Sequence, residues 1–268
     1  MINKRQIRYR AIAKFVYFQH FSSRSTNLLL CAEPKSGSSF LYQVLGNLPG
    51  LRRSDFLPSY GHREQLPTQF EMSAAISARA GRNVVARALV KANEELMSLA
   101  SQFNVRFLVQ TRSLADILAS RLDHLNSYST TSSICHISDQ HWRDLSEEEK
   151  LRYVTKYFAP WHIDFRYSWL EAAETATVPI SWVTYESSLN NPAALRRSLG
   201  EIGFAYSDQE VSQALQLSND GAKFGKTMFN QGVIGRGAEL ESRYPWLAHE
   251  LRELELLQPQ EYQDRFRI

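Results

Sequence analysis

The chain has 268 residues, of which 43% are hydrophobic and 22% charged, and a formal net charge of +3. Such a length is enough for one sizeable core, and the composition excludes a disordered or fibrous chain. The charge is too small to call for nucleic acid, two cysteines exclude a disulfide framework, and no apolar run of about 18 residues offers a membrane-spanning helix.

Residues 1–25 form a basic segment, with Lys4, Arg5, Arg8, Arg10 and Lys14 set around Ile7, Ile12, Phe15, Val16 and Phe18. It lacks the long apolar stretch of a secretory signal, so a cytoplasmic protein is expected. Its pattern fits an amphipathic helix, packed on the domain or in peripheral contact with a membrane. Residues 26–268 are expected to form a single domain. The run Leu28-Leu29-Leu30-Cys31-Ala32 reads as a strand over 26–32, and an apolar-periodic helix follows over 39–47. Between them stands Pro34-Lys35-Ser36-Gly37-Ser38-Ser39-Phe40. A glycine there lets the backbone curl and aim several N–H groups at one spot. Lys35 adds a full charge, and Ser38 and Ser39 add hydroxyls at a helix N-terminus. That combination is an anion cradle.

A weak strand at 51–57 and a helix at 66–80 come next, joined by Gly61-His62-Arg63-Glu64-Gln65. A strand over 84–91 ends at Lys91, and a helix covers 94–103. Val105 to Thr111 alternate as a strand, which Arg112 ends. Ser113 and Asp116 stand in capping-box positions for a helix over 114–125 that carries Ser120. Residues 126–140 are rich in Ser and Thr and form a candidate lid, an acceptor-recognition loop or plain disorder. Helices at 147–158 and 161–175 are separated by Pro160. A strand over 179–184 leads into Tyr185-Glu186. Helices follow at 192–203, 208–217 and 245–256, with a glycine-rich loop over 229–237. Ser146 with Glu149, Ser207 with Glu210, and Asn191-Pro192 are helix-start signals. Alternating β and α units imply a parallel sheet with helices on both faces. Ligands then bind at the carboxyl ends of the strands, where the Lys35 loop and Arg112 fall.

The Pro-Lys-Ser-Gly-Ser-Ser loop resembles the 5′-phosphosulfate loop of sulfotransferases, which use 3′-phosphoadenosine 5′-phosphosulfate as donor. Arg112 and Ser120, eight residues apart, resemble the pair that grips the donor's 3′-phosphate in that family. Seven helical steps of ~1.5 Å put Ser120 roughly 10 Å along its helix, within reach of a phosphate shared with a long Arg side chain. Tyr185 resembles the family's adenine-contacting Tyr, and Phe40 stands where the family has an aromatic that stacks on adenine. Phe229 to Gly237 resembles the late loop that closes over the nucleotide, although Asn230 and Gln231, ahead of Gly232, replace Arg and Lys. The resemblance implies a P-loop NTPase-like sulfotransferase architecture over about residues 26–240.

It also implies transfer of a sulfonate group to a hydroxyl or amine by in-line displacement. Lys35 is expected to stabilise the leaving phosphate, while Ser36, Gly37, Ser38 and Ser39 hold it. No metal is expected. Lys91 matches the Lys of the family's Lys-x-His motif, but the His position holds Asn93, which cannot take a proton. Glu64 is therefore the leading candidate for the general base, with His62 next; Asp123 and His124 also follow Ser120 on its helix. The acceptor is open among small-molecule, lipid and carbohydrate hydroxyls. One rival reading is a phosphoryl-transfer kinase, which would need a Walker Lys-Ser/Thr pair and an Mg²⁺-binding acid; neither is found. The other is a nucleotide-binding module without activity, motivated by Asn93, Asn230 and Gln231.

Overall fold

In the computed structural model, which describes residues 25–57, 64–79, 82–127, 135–224, 234–257 and 260, side-chain alternation decides how the sheet is covered. Strand β1 (Asn27–Ala32) is buried at every position. Its Leu29 and Cys31 enter one core, and Leu28, Leu30 and Ala32 enter another on the opposite face. Strands β3 (Asn83–Ala88) and β4 (Val105–Thr111) divide in the same way: Val84, Ala86, Phe107 and Val109 face one side, Val85 and Leu108 the other. A strand apolar on both faces belongs inside a parallel sheet covered on both sides. With the short β2 (Leu51–Arg53) and β5 (Ile180–Thr184), the order is β2-β3-β1-β4-β5, and every pairing is parallel.

Helix α1 (Ser38–Asn47) packs on one face together with α8 (Pro192–Glu201) and α9 (Asp208–Phe224). The other face is covered by α2 (Gln69–Ser77), α3 (Glu94–Gln102) and the C-terminal part of α6 (Glu147–Thr175). A third core joins α4 (Leu114–Ser127), α5 (Asp139–Asp144), α6 and α11 (Pro245–Leu256). The short α7 (Tyr185–Asn190) follows β5, and α10 (Arg236–Arg243) precedes α11. From β1 the chain builds toward the β2 edge, and from β4 toward the β5 edge. The carboxyl ends of β1 and β4 therefore flank the switch point, the place where open α/β sheets bind their ligands.

Two expectations need correction. Pro160 does not break the helix: α6 runs unbroken for 29 residues from the Ser146 capping box. The carbonyl that proline leaves without a donor belongs to Lys156, and Pro160 and Lys156 are both exposed, so water can serve it. An interior proline costs ~3 kcal/mol, whereas each fully buried large apolar side chain contributes about 1.5–3 kcal/mol. Phe158, Phe165 and Trp169, on both sides of Pro160, are all fully buried and outweigh it. The second correction concerns β3, which ends at Ala88 and not at Lys91. Asn93 caps α3 instead, its side chain accepting the Leu96 N–H at 2.8 Å. Residues 1–24, His62, residues 128–134, Asn230, Gln231 and Gly232 lie outside the described residues.

Candidate active site

The loop after β1 is held from below. Lys35 (φ 69°) and Gly37 (φ 81°) both adopt left-handed backbone, a conformation that is uncommon for a side-chain-bearing residue such as lysine. At Gly37 no other residue fits, because a Cβ there would lie 2.2 Å from the Tyr185 ring. The Ser36 hydroxyl and N–H both donate to the Glu33 carbonyl, at 2.7 and 3.1 Å. Gln110 in β4 donates to the Ser36 carbonyl at 2.9 Å. Helix α1 then starts at Ser38 with no side-chain cap on its first turn, so its positive end lies uncapped at the loop after β1.

Glu33 is the buried hub of this end of the sheet, and sequence reasoning missed it. Arg166 of α6 grips its carboxylate with Nε at 2.8 Å and Nη2 at 3.2 Å, and the Arg112 N–H donates to it at 3.0 Å. Arg166 Nη2 also donates to the Arg112 carbonyl at 2.5 Å, so a single guanidinium ties the ends of β1 and β4 together. His162 Nδ1 lies 3.5 Å from the same carboxylate. Burial alone would raise the Glu33 pKa, but Arg166 and His162 outweigh it and hold the carboxyl below its ordinary value. The available signal was an acid directly after an all-apolar strand, which must find a partner once buried.

Arg112 sits across the switch point from the loop. Its guanidinium lies 4.4 Å over the Tyr185 ring, donates to the Lys35 carbonyl at 3.4 Å, and pairs with Asp116 at 3.4 Å. Asp116 does not complete the expected capping box, since the Ser113 N–H donates to Glu186 at 3.2 Å. Its two oxygens accept the N–H groups of Gly235 and Gly237, at 3.1 and 2.6 Å. It thereby joins the strand-end arginine to the close of the glycine-rich segment. A Cβ on Gly237 would fall 2.6 Å from the Ala115 backbone, so α10 approaches α4 as only glycine allows. Ser120 lies buried further along α4.

Beyond Ser120, α4 contributes a cluster of charge. Lys35 is pushed down to about 8, first by burial and then by the Arg121 charge, with Arg112 adding to this and Asp123 opposing it. His124 is pushed down to about 4 by burial, then by Lys35 and Arg121, so it is neutral at pH 7. Arg121 is itself pushed down to about 10 by burial, with Glu64 pulling it back. Asp123 pairs with Arg236 of α10. The half-buried Glu64, ahead of α2, thus shares a charge neighbour with the loop after β1.

Arg87, which sequence reasoning overlooked, donates from β3 to the Ser39 hydroxyl at 2.7 Å and to the Ser38 hydroxyl at 3.5 Å, and lies 5.4 Å over the Tyr42 ring. A charge inside Val84-Val85-Ala86-Arg87-Ala88 was its signal. Lys91 has a different neighbourhood: it pairs with exposed Asp164 at 2.9 Å, over the Trp161 ring. Phe40 is buried in the core beneath α1, among Leu28, Leu30 and Leu41. Among the described residues, no group of three or more His, Cys, Asp or Glu could hold a metal ion, and no helix is long and apolar enough to cross a membrane.

No family model matches the chain, and no curated protein matches it by sequence. Solved structures do. Mouse sulfotransferase SULT7A1 complexed with PAP superposes with a TM-score of 0.62 at 13% identity, covering 92% of this chain and 90% of that one. A retinol dehydratase in complex with retinol and PAP gives 0.50 at 12% identity, covering 86% and 81%. The likeness is one of architecture: this chain has the sulfotransferase fold, a five-stranded parallel sheet flanked by helices.

Proposed function

We propose that the protein transfers a sulfonate group from 3′-phosphoadenosine 5′-phosphosulfate to a hydroxyl or amine of a small-molecule, lipid or carbohydrate acceptor. The observation that carries this reading is the cradle itself. A left-handed loop and an uncapped helix start open at the switch point, with Lys35 in the loop, Arg87 behind Ser38 and Ser39, and Arg112 across the gap. Cations and N–H groups converging there suit a nucleotide with phosphates at two ends. The fold it shares with a PAP-bound sulfotransferase supports the same choice.

In this reading Lys35 stabilises the leaving phosphate, and the backbone of Ser36 and Gly37 with the hydroxyls of Ser38 and Ser39 holds it. Arg112 and Ser120 take the 3′-phosphate. Tyr185, already stacked on Arg112, borders the adenine side with Phe40 beneath, and Asn230, Gln231 and Gly232 close over the nucleotide. The acceptor oxygen attacks sulfur in line as the bond from sulfur to the bridging phosphate oxygen breaks. The acceptor proton goes to Glu64, with His62 as the alternative, and Lys91 supplies a second cation on the acceptor side.

Calorimetric titration with adenosine 3′,5′-bisphosphate and with AMP tests the donor site. A charge-assisted contact contributes about 1.5–3 kcal/mol, so the bisphosphate should bind roughly 10- to 150-fold more tightly. Equal affinities would remove the assignment of Arg112 and Ser120. A transfer assay with sulfur-labelled donor separates an enzyme from a binding module, which would bind the nucleotide and release no product.

A further inference from the structure

Among the described residues, Arg121 has no ion-pair partner that explains its burial. It is 7% exposed, its Nε is enclosed without a hydrogen-bond partner, and no ion pair of its guanidinium is found among the described residues. Its one ring contact is the face of Phe158, 4.6 Å away. The other buried or half-buried arginines of this region are provided for: Arg166 has Glu33, Arg236 has Asp123, and Arg87 has Ser39. An arginine kept for structure would have been given a carboxylate, because an unpaired buried charge is costly.

What lies beside Arg121 is informative. Arg121 lies within electrostatic reach of Lys35 in the loop after β1, whose ammonium it repels, and of Glu64, which attracts it. In the reading above, the group in flight passes between these two residues. As it does so, the bond from sulfur to the donor's bridging oxygen breaks, with its electron pair left on that oxygen beside Lys35. The bond from the acceptor oxygen to sulfur forms, and the acceptor proton moves to Glu64. Negative charge is carried meanwhile by the equatorial sulfonyl oxygens, and a desolvated guanidinium fork fits two of them.

We propose that Arg121 is a further catalytic cation, whose guanidinium, with its Nε unpartnered among the described residues, receives the sulfonyl oxygens during transfer. It exchanges no proton; it offers fixed positive charge where charge develops. This rests on the sulfonate-transfer reading. Arg121 has no ion pair among the described residues because its anion arrives with the donor.

Two variants test it. R121M keeps the apolar stem on Phe158 and removes the charge; R121K keeps the charge and loses the fork. With R121M, kcat should fall ~100-fold or more, while adenosine 3′,5′-bisphosphate, which has no sulfonyl group, binds within about threefold of the parent. R121K should recover about tenfold of the loss. The melting temperature of R121M should equal or exceed the parent's, because the charge removed had no partner. A parent inactive with labelled donor would overturn both readings. An active parent with an equally active R121M would overturn this one alone. So would an R121M that melts well below the parent, or one whose bisphosphate affinity falls as far as its kcat, since Arg121 would then be a structural or nucleotide-binding residue.

Discussion

Glu33→Gln is the most exacting perturbation of this site, because it changes one atom and keeps the shape. In the parent, the carboxylate accepts two N–H bonds from Arg166 and one from the Arg112 backbone. An amide can accept at only one of its two positions, so its NH₂ would face a guanidinium or a backbone N–H. Arg166 would keep its charge in an enclosed place without the carboxylate it grips. Breaking a buried pair from one side costs about 3–5 kcal/mol. For a domain of this size each kcal/mol moves the melting temperature by ~2–4 °C, so a drop of roughly 6–20 °C is expected at pH 7. Since Glu33 also joins the ends of β1 and β4 under the loop, bisphosphate affinity should fall by about tenfold. The pH dependence has a definite sign. The folded pKa of Glu33 lies below its unfolded value. Its contribution is therefore present above the unfolded pKa and is lost as pH falls through the folded one. The gap between parent and variant should thus narrow below about pH 4. Thermal melts at pH 7 and at about pH 3, with titration of the nucleotide at pH 7, test all three points. A variant melting within ~2 °C of the parent at pH 7 would refute the hub.

Two further predictions follow from the charges around the loop. Because the Lys35 ammonium has a pKa near 8 in the free protein and an anionic ligand raises it, binding should take up protons near pH 8. Bisphosphate affinity should then decline as pH rises further, and titrations in buffers of different ionisation enthalpy read this directly; a flat affinity from about pH 7 to 9.5 would contradict it. Glu64→Gln should lower turnover ~100-fold or more and leave bisphosphate affinity within about threefold, with full activity pointing to His62 instead.

Local chemistry is what the chain alone could reveal. The apolar run at Leu28–Ala32 followed by Lys35, Gly37 and two serines specifies strand, turn and helix through neighbours in sequence, and Val105 to Arg112 does the same. The Ser146–Glu149 and Asn191–Pro192 helix starts form as the residue types require, since each cap spans only three residues. Alternating β and α units were enough to expect a parallel sheet covered on both faces. Strand order was not legible, and everything that depended on it was decided in three dimensions. Glu33 and Arg166 are 133 residues apart, and they meet only because α6 returns across the ends of β1 and β4. Asp116 reads locally as a helix cap, yet its carboxylate serves glycine N–H groups 119 and 121 residues away. Pro160 reads as a break, but packing on both sides of it carries α6 through. Arg121 reads as an ordinary helical arginine; only the third core, closing over α4, shows that it is buried with its Nε unpartnered among the described residues. Periodicity and capping report a residue's nearest neighbours, whereas desolvation and ion pairing depend on which distant segments the fold brings against it.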